Sequence, residues 1–286
     1  DAADQIYRAN DLAHKYFHHM LLNDTAGEEA LAYLRNRHLS DETIERFGLG
    51  YAPANWDGLL KVAQRRGFSP QAMEQAGLVL PRQNGNGYYD RFRDRAIFPI
   101  ANLSNRTIGF GARALQSDQE PKYLNSPETS VYHKGTVLYG LAQTRDAIRR
   151  RDVVIVVEGY MDLLSLVQAG IEHVVATSGT ALTEEHCRSL ARYAHRVVLL
   201  FDGDAAGSNA AMRGLEILLG TGVDARVVSL PSEHDPDTFV QEKGSEALLD
   251  LAEKGQSALD FYMQQIGGRH DLSSVQGKSL AIEALK

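Results

Sequence analysis

The chain has 286 residues, 43% of them hydrophobic and 8% aromatic, which suffices for two compact domains or one domain with an appendage. No apolar stretch approaches the roughly 18 residues of a membrane span, and the polar, amphipathic opening "DAADQIYRANDLAHKYFHHM" is unlike a signal peptide. A single cysteine, Cys187, excludes an internal disulfide and a thiolate zinc site, and a net charge of −7 argues against indiscriminate nucleic-acid binding.

Residues 1–35 read as helix, because Ile6, Leu12, Ala13, Tyr16, Phe17 and Met20 recur at three-to-four spacing. "NDTAGEEALAYL" offers a cap followed by first-turn acids. His14 and His18, one turn apart with His19 beside them, read as a partly exposed helix face rather than a metal pair. "LSDETIERFGLG" repeats the capping logic, with Ser40 as cap and Gly48 and Gly50 as breakers. "NWDGLLKVAQRRG" and "SPQAMEQAG" are two further short helices, with Trp56 as a packing anchor. From Leu78 onward the runs "LVLPRQNGNGYYDRF", "RAIFPIANLSNRTIGFGAR" and "PKYLNSP" alternate β-like segments with turn signals. A hairpin centred on Ser104 and Asn105 is expected, within a mixed α/β region carrying a small antiparallel sheet.

The second half alternates more regularly. "VVIVV" (153–157), "HVVAT" (173–177), "RVVLLF" (196–201) and "ARVVSL" (225–230) read as buried strands separated by helices. The helix after the second strand is capped by Thr183, and Cys187 sits in it as a small buried hydrophobe. Continuous apolar strands alternating with helices predict a parallel sheet covered on both faces. After Gln241 the chain reads as helical to its end. It begins with Asp1 rather than Met and stops inside a helix-like run, so an excised piece of a longer protein is expected.

The overall charge conceals an asymmetry. Residues 80–150 carry eleven Lys and Arg against six Asp and Glu, whereas residues 151–286 carry eleven against twenty. A basic half joined to an acidic half suits one that grips phosphates and one that holds cations. In "RFRDR", Arg91, Arg93 and Arg95 would share one face of an extended segment, a row suited to a single-strand backbone. The alternative is a solvated strand face paired with Asp90 and Asp94.

Ligands of open parallel sheets bind beyond the carboxyl ends of the strands. There the sequence puts Glu158-Gly159 with Asp162 one turn on, Ser178-Gly179-Thr180, Asp202-Gly203-Asp204, and the loop "PSEHDPDTF" with Glu233, Asp235 and Asp237. Most of these carboxylates could converge on this rim. Clustered carboxylates raise one another's pKa unless cations compensate. Hard oxygen ligands without His or Cys suit Mg²⁺ or Mn²⁺, as in phosphoryl and nucleotidyl transfer.

The stretches "VVEGYMDLLSL", "SGTALT", "LLFDGDAAG" and "DPDTF" closely resemble the Toprim module. Upstream, "YDRFRDRAIFPI", "IGFGARAL", "PKYLNSPET" and "HKGTVLYGL" resemble the RNA polymerase core of bacterial DnaG-type primases, so the likeness spans roughly residues 35–265. It implies a mixed α/β basic subdomain (1–138), a Toprim parallel sheet flanked by helices (139–240) and a helical segment (241–286). The implied activity is synthesis of short RNA primers on single-stranded DNA from ribonucleoside triphosphates, in the cytoplasm, by a monomeric fragment without membrane contact. Replicative helicase and single-strand-binding protein would be met through other regions of the full-length protein, where zinc would also reside.

By that likeness Glu158 is a catalytic acid, either metal ligand or proton carrier for the 3′-hydroxyl. Asp202 and Asp204 are the main metal ligands, Asp235 and Asp237 an outer pair, and Asp162 a supporting acid, for one to three Mg²⁺ or Mn²⁺ ions in all. Arg113, Lys122, Asn125 and Lys134 would face the cleft, with Tyr123 stacking or packing. Arg91 and Arg93, and by a further likeness Arg46, would contact DNA. No general base is assigned. Toprim topoisomerases need a nucleophilic Tyr in a separate domain, and none is evident. A phosphatase of the haloacid type needs a Thr soon after its Asp-x-Asp, which "DGDAAG" lacks. A pure binding module has little reason to keep a repulsive carboxylate cluster.

Overall fold

The computed structural model describes residues 2–83, 85–202, 213–231, 233–261, 264 and 274. The chain divides into two compact units, Asp1–Gln143 and Thr144–Lys286. Among the described residues no helix is long and apolar enough to cross a membrane.

The first unit opens with α1 (Ala2–Leu22), a 3-10 turn at Thr25–Gly27, α2 (Glu28–Asn36) and α3 (Asp41–Arg46). The Ser40 hydroxyl accepts from Thr43 N–H at 3.2 Å, so the predicted cap forms. Next come β1 (Gly50–Ala52), α4 (Gly58–Arg65), α5 (Pro70–Gln75), β2 (Val79–Pro81) and β3 (Tyr88–Asp90). β4 (Arg95–Ala101) and β5 (Thr107–Ala114) form the expected hairpin, and β6 (Tyr123–Asn125) follows. The main sheet is antiparallel in the order β1-β4-β5-β6, with β2 and β3 paired separately. α1 buries Ile6, Ala9, Ala13, Phe17 and Leu21. The Phe17 ring meets Phe110 and Phe92 edge-on at 5.5 and 6.3 Å, so one large aromatic fastens the helix to the sheet core.

The histidines of α1 lie on a partly exposed face, as read, and two of them make specific contacts. His14 Nε2 faces the Gly48 carbonyl at 3.1 Å and its Nδ1 faces the Thr107 hydroxyl at 2.9 Å. His18 Nδ1 donates to the Leu49 carbonyl at 2.7 Å. Both rings therefore hold the loop that enters β1, through the Gly48 and Leu49 carbonyls between α3 and β1. Burial lowers the His14 pKa, which favours the neutral ring in that place.

The second unit comprises α6 (Leu141–Arg151, entered from the first), β7 (Val153–Val157), α7 (Tyr160–Gln168), β8 (Val174–Ala176), α8 (Glu184–Leu190), β9 (Arg196–Phe201), α9 (described over 213–219), β10 (Asp224–Ser229), α10 (Pro236–Glu253) and β11 (Gln256–Ser257). β7, β8, β9 and β10 are mutually parallel, in the order β11-β10-β9-β7-β8. Val154, Ile155, Val156 and Val157 are all fully buried, each side chain contributing about 1.5–3 kcal/mol. Cys187 is buried as expected. The helical reading after Gln241 needs one correction: β11 pairs antiparallel with the edge of β10. α10 also spans 240/241, where a segment boundary is expected, and Gly244 inside it takes φ 84°.

Candidate functional site

β7 lies at the centre of the parallel sheet's chain reversal. From β7 the chain crosses to β8 on one side, then returns past it to β9 on the other. In open α/β sheets the crevice beyond the carboxyl ends at such a reversal is where ligands bind. Glu158 leaves β7 there and Asp202 leaves β9. The β8 edge is drawn in by Ser178 N–H on the Glu158 carbonyl at 2.8 Å and Thr177 N–H on the Val157 carbonyl at 3.1 Å. Glu158, Thr177, Gly179, Thr180, Leu182, Phe201 and Arg213 line a small cavity of about 210 Å³ at this rim. Asp204 lies outside the described residues.

Asp162 lies in the first turn of α7 and accepts the Gly159 N–H at 2.9 Å through Oδ2. A Cβ at position 159 would stand 2.7 Å from that oxygen, which explains the glycine after Glu158. The Asp162 carboxyl is pushed up to about 7, first by burial and next by the Asp235 carboxylate, with Asp202 and Asp237 adding to it. Those four acids therefore share one field.

The outer pair is built into α10. Asp235 is its N-cap, accepting Thr238 N–H at 2.7 Å. Asp237 is buried, and its Oδ1 accepts the Ser165 hydroxyl of α7 at 2.6 Å and the Gln241 amide. Among the described residues no group of three or more His, Cys, Asp and Glu is arranged to hold a metal ion. The donor chemistry nonetheless fits a hard divalent cation: carboxylates emerge from neighbouring strand ends, and their mutual repulsion is what a cation relieves.

In the first unit the alternation expected of "RFRDR" fails. β3 stops at Asp90, and Asp94 takes φ 50°, so the segment turns before β4. Arg95 is buried and donates to the Pro121 carbonyl at 2.7 Å. Arg91 donates to the Asn125 carbonyl at 3.1 Å. Arg93 lies 4.3 Å from the Trp56 ring centroid and 5.1 Å from Tyr89. All three arginines nevertheless line one cavity of about 420 Å³ with Trp56, Tyr89 and Gln119. Their alternative carboxylate partners are engaged elsewhere. Asp90 receives Leu59 and Leu60 N–H at 2.7 and 3.0 Å, and Asp94 accepts the Tyr51 hydroxyl at 2.9 Å. Trp56, expected as a packing anchor, is 56% exposed: it forms a wall of this cavity with Tyr89, a partnership across 33 residues that no local pattern announces.

Arg113 sits between the Tyr33 and Tyr123 rings at 5.3 and 5.5 Å, and Lys122 lies 6.0 Å from Tyr123, which is itself exposed. Asn125 pairs with Gly111 in the sheet. Lys134 is tied by its backbone N–H to the Glu128 carboxylate at 2.9 Å. Arg46 ends α3 over the Phe47 ring and borders a separate groove with His14 and Arg106.

Residues 16–145 match the family model for the N-terminal domain of the DNA primase catalytic core, and residues 155–240 match a Toprim-like model. DNA primases of Pseudomonas putida and Clostridium acetobutylicum are each 42% identical to the chain, over 278 and 260 residues. Those alignments cover 96% and 90% of this chain and 42% of each relative, so the chain spans under half the length of these curated relatives. Among solved structures, a DNA primase domain from Pseudomonas aeruginosa superposes with a TM-score of 0.90 at 40% identity, covering 96% of this chain and 87% of that one. A DnaG primase catalytic domain bound to ssDNA does so at 0.89 and 37%, covering 97% and 87%. With its parallel acidic-rimmed sheet and the antiparallel sheet of its first unit, the chain belongs to the DnaG primase catalytic-core family, and its second unit is Toprim-like.

Proposed function

We propose that the chain is the RNA polymerase core of a bacterial primase, joining ribonucleotides into short RNA primers on single-stranded DNA at the replication fork in the cytoplasm. The observation that carries this reading is the pair of carboxylates, Glu158 and Asp202, leaving adjacent parallel strands at the sheet's chain reversal. Glu158, Asp202 and Asp204 would hold Mg²⁺ or Mn²⁺, with Asp235 and Asp237 as an outer pair. When bound, the metal supplies charge neutralisation for hydroxyl attack on an α-phosphate and for pyrophosphate departure. The absence of a Cβ at Gly159, next to Glu158, leaves the Asp162 carboxylate in place. Arg91 and Arg93, beside exposed Trp56, suit phosphates and stacked bases of a single strand. Arg46, Arg113, Lys122, Tyr123, Asn125 and Lys134 serve template or nucleotide phosphates.

The test is primer synthesis on single-stranded DNA with and without Mg²⁺ or Mn²⁺. Wild-type protein should incorporate ribonucleotides only with the metal. Glu158→Gln, Asp202→Asn and Asp204→Asn should each lose incorporation by about 10²-fold or more while keeping their melting transitions. Full activity in all three variants would overturn the assignment.

A further inference from the structure

At the amino ends of the same strands the charge is reversed. α6 ends in Arg149, Arg150 and Arg151, and the turn into β9 carries Arg192; all four are exposed. Two contacts join these segments. The Arg149 guanidinium lies 4.8 Å from the Tyr193 ring centroid, and Asp152 accepts both the backbone N–H of His195 and its Nδ1, at 2.9 and 2.8 Å. Beside them Arg196 and Arg226 share the single carboxylate of Asp224 at 2.7 and 2.9 Å. Arg151 joins burial in holding His173, just before β8, down at about 4.

Asp152 and Asp224 are thus occupied inside the cluster. Asp146 and Glu172 are the other acids on these segments. Arg149, Arg150, Arg151 and Arg192 have no carboxylate oxygen within 4.0 Å among the described residues. The carboxyl end of α6 calls for about half a positive charge, so helix stabilisation accounts for little of this excess.

We propose that this arginine cluster is a second nucleic-acid contact, gripping the phosphate backbone of a single strand at the pole of the Toprim-like unit opposite its acidic rim. The inference rests on the reading of the chain as a template-directed polymerase core. Every unpaired cation here is an arginine, whose planar fork takes phosphate oxygens in pairs. Residues 149–152 and 192–196 expose no large apolar side chain, since Tyr193 is half-buried beneath Arg149. A phosphate backbone is held by such cations without an apolar core, whereas the buried core of a protein interface is depleted of charge.

The experiment compares wild-type protein with the triple variants R150Q/R151Q/R192Q and R150E/R151E/R192E. Fluorescence anisotropy follows binding to labelled oligothymidylates of about 10 and about 40 nucleotides across a salt series. The Gln variant should bind the longer strand about tenfold more weakly, with its salt slope reduced by about 2, at about 0.7 for each phosphate contact removed. The Glu variant should bind it more weakly still. Short-strand affinity, melting temperature and primer synthesis on a short template should match wild type. Wild-type affinity and slope on the longer strand would overturn the proposal, as would equal losses on both strand lengths. Retained DNA binding with loss of a polyglutamate probe would also overturn it, in favour of a protein-docking surface. Failure of the wild type to polymerise ribonucleotides would refute the polymerase reading, and the strand-length comparison would still judge the arginine contact.

Discussion

Replacing Asp162 by Asn tests the electrostatics of the acidic rim without relying on turnover. Asn keeps the shape and an oxygen for the Gly159 N–H, and it removes a charge that Asp235, Asp202 and Asp237 oppose. The Asp162 carboxyl sits at about 7 in the folded chain against 3.8 for an ordinary aspartate. A folded-state pKa above the unfolded value means that the folded chain binds the proton more tightly. The stabilisation from that proton is complete below 3.8 and is lost as pH rises through 7. At about 1.36 kcal/mol per pH unit, the full interval corresponds to about 4 kcal/mol, and screening of a half-buried group leaves about 2–4 kcal/mol. Urea unfolding in a metal chelator, followed at a series of pH values, measures it. Wild type and variant should be nearly equal at about pH 4, with the variant's advantage growing to about 2–4 kcal/mol by about pH 8. Parallel profiles for the two proteins would refute a shared acidic field.

Gly159→Ala should cost about 1.5–3 kcal/mol, because the new methyl displaces the carboxylate oxygen that receives a backbone N–H. In an Asp162→Ala background the same change should cost under about 0.5 kcal/mol, and an undiminished cost there would place the clash elsewhere. In the first unit, Asp90→Ala strands the Leu59 and Leu60 N–H groups at the start of α4 while relieving a buried carboxylate held at about 6. A net loss of about 1–3 kcal/mol is expected at about pH 8. Because Asp90 has a raised folded-state pKa, the wild type gains stability as pH falls through 6, so the deficit of the variant should widen toward pH 4 in chemical denaturation. A deficit that narrows would refute this account.

Local pattern carried far where one element's own residues decide its state. "VVIVV" and "RVVLLF" could bury continuous apolar runs only in a covered parallel sheet, and both became adjacent parallel strands. The caps at Ser40 and Thr183 formed as read, since a hydroxyl reaches an N–H three residues away whatever lies beyond. The turn at Ser104 and Asn105 is of the same kind, with the Asn102 side chain accepting Ser104 and Arg106 N–H at 3.0 Å.

Where a side chain's partner is remote in sequence, pattern was silent or misleading. Three arginines at alternate positions read as one strand face, yet the backbone turned at Asp94 and each guanidinium found a different partner. β11 is two residues long and exists only because the edge of β10 offers unpaired groups. The residue types at the strand ends, with their glycines, were enough to mark an acidic rim. That Asp237 would be buried against Ser165, 72 residues away, was decided by the packing of α10 on α7. Periodicity and capping follow from the few bonds between neighbours, which the order of residues already contains. The field felt by a carboxylate depends on which distant charges the fold brings near it, and only the tertiary structure supplies that.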